Sequence, residues 1–232
     1  KEYVCHPHIE ALRVEYAWYQ LHQGRITESG ANFNHALGCW SDEYPQLSVY
    51  ACIGLAKLGL LSGNLGEARR HLTRAENFLT RVTTKWDLSW LLYELKLLNF
   101  DVDLADNRTQ EALSSLNILK PQGEVFDERY RFSIETRLGL LAQRSNDNNR
   151  ALEHFARAHT SLPNNSSHTE RGLYFYGLAR SLRASKRELP EVRAEALRAI
   201  EEYERVVTSL RGDNRVLAET SGKLFTLSEG LS

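Results

Sequence analysis

The chain lacks methionine altogether, and its 232 residues include only 5 prolines and 3 cysteines. So little proline, with 14 glycines and 42% hydrophobic residues, excludes a disordered or low-complexity polypeptide over most of its length. Cys5, Cys39 and Cys52 are odd in number and irregularly spaced. That argues against a disulfide framework and for thiols in a reducing compartment. No apolar run approaches the ~20 residues that a membrane span needs, and no secretory leader is visible. The expected location is therefore intracellular, cytoplasmic or nuclear, in soluble form. A first residue that is lysine, in a chain without methionine, reads as a fragment of a longer protein.

No sign of charge dominates either. Lys and Arg number 29 against 30 Asp and Glu, for a net charge of −1 and a pI near 6.8. A general attraction to nucleic acid or to an acidic membrane surface is not expected. Catalytic signatures are missing as well: there is no phosphate-binding Gly-rich loop, no G-x-S-x-G, no H-E-x-x-H and no C-x-x-C. The opening Cys5-His6-Pro7-His8 contains metal-ligand types but too few of them for a supported site. Glu201 and Glu202 lie in a charged segment where Arg198–Glu202 and Glu201–Arg205 stand four apart, so they read as a solvated helix face. His35, His71, His154 and His159 read as surface or boundary residues. The expectation is a protein that is not an enzyme and carries no cofactor and no metal.

What is present is helical periodicity. Ile9, Leu12, Tyr16 and Tyr19 recur at spacings of three and four, as do Leu91, Leu95, Leu98 and Val102, which puts each set on one helix face. Runs of alternating β-branched residues are absent, so strands are not expected. Gly24, Gly63, Asn107 and Asn146 fall in short breaks between helical stretches, and each precedes a small residue by five positions: Ser29, Ala68, Ala112 and Ala151. Those small positions are spaced by 39, 44 and 39 residues. A bulky apolar residue follows each by four, at Phe33, Leu72, Leu116 and Phe155. Ala196 and Ile200 read as the fifth instance, after a turn near Lys186–Pro190 with about five extra residues. A period of this size marks stacked helical hairpins, in which small residues let the helices cross closely and each hairpin buries its neighbour's apolar face.

The residues in register carry a resemblance. Leu55-Ala56, Gly63, Ala68, Leu72 and Ala75, and again Leu138-Gly139, Asn146, Ala151, Phe155, Ala158 and Pro163, resemble the tetratricopeptide (TPR) pattern. The longer period is similar to that of the TPR-like repeats in large bacterial signalling ATPases, in maltose-regulator-type activators and in divergent eukaryotic scaffolds. The resemblance implies an all-α, right-handed superhelical solenoid of about five TPR-like hairpins. Residues 1–8 would be an extension and 9–232 a single repeat domain, with Asp213–Ser232 adding a C-terminal helix.

In TPR proteins the first helices form the concave wall. Matching positions here are Val14, Trp18 and Leu21; Ile53, Lys57 and Leu60; Trp90; Thr136, Leu140 and Gln143; and Tyr176, Arg180 and Arg183. The Lys/Asn set that clamps a terminal carboxylate is not evident at these positions. A mixed apolar and basic wall suits an extended or helical protein segment, with some acidic residues, from a partner or from another domain of the same polypeptide. The basic clusters Arg69-Arg70-His71 with Arg74, and Arg180, Arg183, Lys186 and Arg187, suit phosphate or an acidic segment. Trp86, Trp90 and Tyr93, and Tyr174-Phe175-Tyr176, supply aromatic groups of the kind that anchor interfaces. The expected function is a protein–protein interaction scaffold or regulatory segment. The alternative is a small-molecule-sensing regulatory domain of a signalling or transcription-regulating protein.

Overall fold

The computed structural model describes residues 7–40, 44–82, 89–119, 128–164 and 166–209. Among these there are ten α-helices and no strand: α1 (Pro7–His22), α2 (Ile26–Trp40), α3 (Pro45–Leu61), α4 (Leu65–Leu79), α5 (Ser89–Ala105), α6 (Thr109–Leu119), α7 (Glu128–Arg144), α8 (Asn148–Thr160), α9 (His168–Ala184) and α10 (Leu189–Ser209). They divide into two compact units, one running through Ser115 and the other from Leu116 to Ser209. None of the described helices is long and apolar enough to cross a membrane. Cys5, Trp86 and the helix expected over Asp213–Ser232 lie outside the described residues.

One backbone device makes every hairpin. Gly24, Gly63, Asn107, Asn146 and Lys186 have φ of 70°, 71°, 60°, 58° and 55°. At each, the N–H of the left-handed residue donates to the carbonyl three residues back, and the next N–H donates to the carbonyl four before the left-handed residue. Gly63→Leu60 with Asn64→Gly59, and Asn146→Gln143 with Asp147→Ala142, are two examples. This is the Schellman closure, which satisfies carbonyls that a helix end leaves open. The second helix begins at once, capped by its own side chain where the sequence allows. Asn64 accepts from the Glu67 N–H and Asp147 from the Arg150 N–H, both at 3.1 Å. Ser167 caps α9 in the same way, accepting from the Glu170 N–H at 3.2 Å.

The fifth turn corrects the expected register. Lys186 closes it as the other four are closed, and α10 starts at Leu189. The extra residues lengthen the helix rather than the turn. Buried Val192, Ala196 and Ala199 occupy the places that Ser29, Phe33 and Ala36 hold in α2, and Ile200 is only half-buried.

Small residues lie where the helices cross. Ser29 Oγ donates to the Ala17 carbonyl at 2.9 Å inside the α1–α2 hairpin. A Cβ on Gly59 would come within 2.8 Å of the Ala68 nitrogen. Between hairpins, the fully buried Phe33 ring of α2 lies against Gly54 of α3, where a Cβ would be 2.3 Å from the ring. In the second unit the Phe155 ring of α8 lies between Gly139 of α7 and Gly177 of α9, with Cβ approaches of 2.8 and 2.5 Å. Burying each ring contributes about 2–3 kcal/mol, and only glycine admits the approach.

Two predictions follow from this packing. Gly54→Val and Gly139→Leu should each lower unfolding free energy by about 1–3 kcal/mol through overpacking, while Gly38→Ala, with nothing within 4 Å of its added methyl, should be neutral or stabilising. Urea titrations showing equal stability for all three would contradict the crossing geometry. Lys186→Gly should raise stability by up to about 1 kcal/mol, because a side chain at positive φ carries a cost that glycine does not; a lower melting temperature would refute it.

Candidate functional site

Of the residues expected on the wall, fewer are available than the sequence implies. In the first unit, Val14 (0% exposed), Leu21 (4%) and Ile53 (2%) belong to the core. They cannot touch a partner, because these helices are buried on more than one side and α3 is apolar nearly all round. Leu60 is half-buried against the same core. The remaining three residues meet through Tyr50. The Trp18 ring of α1 stacks on the Tyr50 ring of α3 at 5.1 Å and 22°, and Tyr50 meets Trp90 of α5 edge-on at 5.1 Å and 83°. The Lys57 ammonium lies 5.6 Å from the centre of the Trp18 ring, a cation–π contact. Trp90 keeps 39% of its surface exposed. The result is an aromatic ladder across three successive first helices, with a cation at one end.

Tyr50 is the rung that the groove positions missed. Burial first, then the carboxylates of Glu15 and Glu94, push its phenol up to about 12. Desolvation and the neighbouring Lys57 charge hold His22 below the usual imidazole range. Trp18 Nε1 is enclosed without a hydrogen-bond partner. Tyr93, three residues beyond Trp90, is buried and faces the core.

In the second unit Thr136 is fully buried, with its hydroxyl unpaired, and is not part of any wall. Gln143 is turned into the fold: its amide donates to the Gly177 carbonyl and to Ser181 Oγ at 2.7 Å, clipping α7 to α9. Leu140 is half-buried in the core. The exposed part of the wall is on α9. Arg180 lies over the half-buried Tyr176 ring at 5.5 Å, Arg183 follows one turn on, and exposed Lys186 and Arg187 continue past the helix end.

No carboxylate of the described residues pairs with any of these four cations. Four arginines of the same unit are engaged, while Arg193 of α10 is exposed without an ion pair among the described residues. Arg137 holds Glu170 at 3.1 Å, Arg171 holds Glu202 at 2.9 Å, Arg198 holds Glu195 at 2.9 Å and Arg205 holds Glu202 at 3.2 Å. Most of the other basic cluster is consumed internally, with Arg74 left exposed. Arg69 bridges Asp103 at 2.7 Å and Asp106 at 2.8 Å, Arg70 pairs with Glu67 at 2.6 Å, and His71 is buried.

Several ionisable residues expected at the surface are inside. Glu202 is 3% exposed and receives His168 Nδ1 at 2.7 Å as well as the two arginines, so it ties α9 to α10. His154 is buried and meets Glu135 at 2.8 Å, tying α7 to α8. His35, exposed, meets buried Glu10 at 3.2 Å and ties α2 to α1. These histidines bind helix to helix.

Ligand atoms of Glu10, His35 and Cys39 lie within 4.8 Å of one another. Cys39, however, is disulfide-bonded, against the expectation of unpaired thiols, and offers no thiolate to a metal. Cys52 is a buried thiol pushed up to about 11 by desolvation, which keeps it protonated and inert.

No family model matches the sequence, and no curated protein matches it. One similar solved structure is that described as the functional characterization of Pseudomonas aeruginosa PilF, a TPR-containing protein. The two share 14% identity with a TM-score of 0.57, over 96% of this chain and 90% of that one. With ten helices that pair in succession around left-handed turns, the fold of this chain is that of a TPR-like helical-repeat protein.

Proposed function

We propose that the chain is a protein–protein interaction scaffold or regulatory segment. It acts by binding rather than by catalysis, and it holds a partner polypeptide against its first helices. The observation that carries this reading is the strip Tyr176, Arg180, Arg183, Lys186 and Arg187: four exposed cations with no carboxylate partner, beside an aromatic face. In a chain of net charge −1, where Arg171, Arg198 and Arg205 of the same helix pair hold carboxylates, such a strip suits a segment rich in Asp and Glu. Arginine adds bidentate hydrogen bonds to that attraction, and Tyr176 adds apolar contact. The Trp18–Tyr50–Trp90 ladder offers a second surface of the same kind, where the exposed part of Trp90 and the Lys57 head can take an apolar and an acidic group.

The test is affinity capture with the parent chain and an Arg180→Glu/Arg183→Glu variant, after circular dichroism has confirmed that both are folded. A bound protein should be lost from the variant, with affinity down about 10-fold or more, and should be released from the parent by raised salt. A partner held equally by both would remove the α9 strip from the site.

A further inference from the structure

Helix α1 differs from the other first helices in one respect. Its apolar stripe faces outward: Ile9 is 55% exposed, Leu12 70%, Tyr16 50% and Tyr19 57%, with the two tyrosine rings stacked on each other at 6.2 Å. Thirty-nine residues on, the equivalent positions of α3 are Ser48, Ala51, Leu55 and Leu58, and all are buried, at 2%, 0%, 6% and 8%. In α7 the equivalents of Leu12, Tyr16 and Tyr19 are Ile134, Leu138 and Leu141, buried at 5%, 5% and 7%. Among the described residues, the same face is buried on α3 and α7 and open on α1.

What covers α3 says what would cover α1. The cover of α3 is α2, whose Phe33 ring lies on Gly54 and whose Gly30 lies 3.5 Å (as Cβ) from Leu58 Cδ1. Phe155 on Gly177 repeats the first contact at the corresponding position of the second unit. On α1 that position is Glu15, an exposed carboxylate. A helix laid on α1 as α2 is laid on α3 cannot put an aromatic ring there without desolvating a charge.

We infer that α1 is the docking face for an amphipathic helix of a partner protein, apolar along its contact stripe, with a Lys or Arg at the central position opposite Glu15. The four outward side chains form a continuous row over about 15 Å of helix, contiguous rather than scattered. The occupant's small or aliphatic residues would pack between Leu12, Tyr16 and Tyr19, and its cation would pair with Glu15 at the middle of the seam. This surface is separate from the α9 strip, and it stands or falls on its own.

The test uses two fluorescent, side-chain-stapled 14-residue helices with the same Leu/Ala stripe, one with Lys and one with Glu at the central position. Both are titrated into the parent chain and into Leu12→Glu and Glu15→Lys variants, whose altered side chains are exposed. The Lys helix should bind the parent, bind Leu12→Glu about 10-fold or more weakly, and lose its advantage over the Glu helix in Glu15→Lys. Arg180→Glu/Arg183→Glu should bind it as the parent does. The inference is overturned if neither helix binds the parent, or if the preference for Lys survives in Glu15→Lys. It is also overturned if sedimentation shows that the parent is a dimer dissociated by Leu12→Glu, which would assign the stripe to a second copy of the chain.

Discussion

A phenylalanine ring pressed onto a glycine of the next hairpin sets the spacing within each unit. Phe33 on Gly54 and Phe155 on Gly177 occupy the same repeat position. With no Cβ in the way, each ring brings a second helix against the following first helix. First helices then come close enough for side chains to reach across: Trp18 to Tyr50 and Tyr50 to Trp90 in one unit, Gln143 to Gly177 and Ser181 in the other. At the next seam the positions in register are Leu72 of α4 and Leu98 of α5, both buried in the same core. Large with none and medium with medium are two solutions to the same volume.

Polar groups inside the hairpins do related work at lower tolerance. Glu10, Glu135 and Glu202 each accept from a histidine of the partner helix, and Glu202 also takes two arginines. A buried carboxylate is costly unless it is fully paired, so these clasps reward only one relative placement of the two helices. That placement is also the one in which the small residues meet. Apolar packing supplies most of the energy, and the charged clasps restrict which packing is allowed.

Turns and crossings were legible in the sequence because each depends on a single residue type at a fixed offset. Gly24, Gly63, Asn107 and Asn146 tolerate left-handed backbone, and a small residue five positions later admits the crossing. Lys186 could not be read this way, since lysine carries no turn signal, and the fifth register slipped as a result. The wall was harder still. Periodicity places Val14, Leu21, Ile53 and Thr136 on first helices, but in a helix contacted on several sides it does not separate a groove-facing residue from a core one. Glu202 looked solvated because its partners, His168 and Arg171, lie on another helix, more than thirty residues earlier. The exposed stripe on α1 has the opposite origin: its periodicity is that of a buried face, and only the packing reveals that nothing in the described chain covers it.

The distribution of cations gives the surface its meaning. Within one helix pair, Arg171, Arg198 and Arg205 each have a carboxylate, while Arg180, Arg183, Lys186 and Arg187, and Arg193 of α10, have none among the described residues. Sequence alone does not make that division, since acidic residues such as Glu188 and Glu191 lie close by in the chain. On α10, Glu202 reaches His168 and Arg171 of α9, and Glu195 pairs along the helix with Arg198. Like charges held a turn apart destabilise a helix by a few tenths of a kcal/mol per pair. The strip carries that cost next to an aromatic ring already stacked with one of the cations.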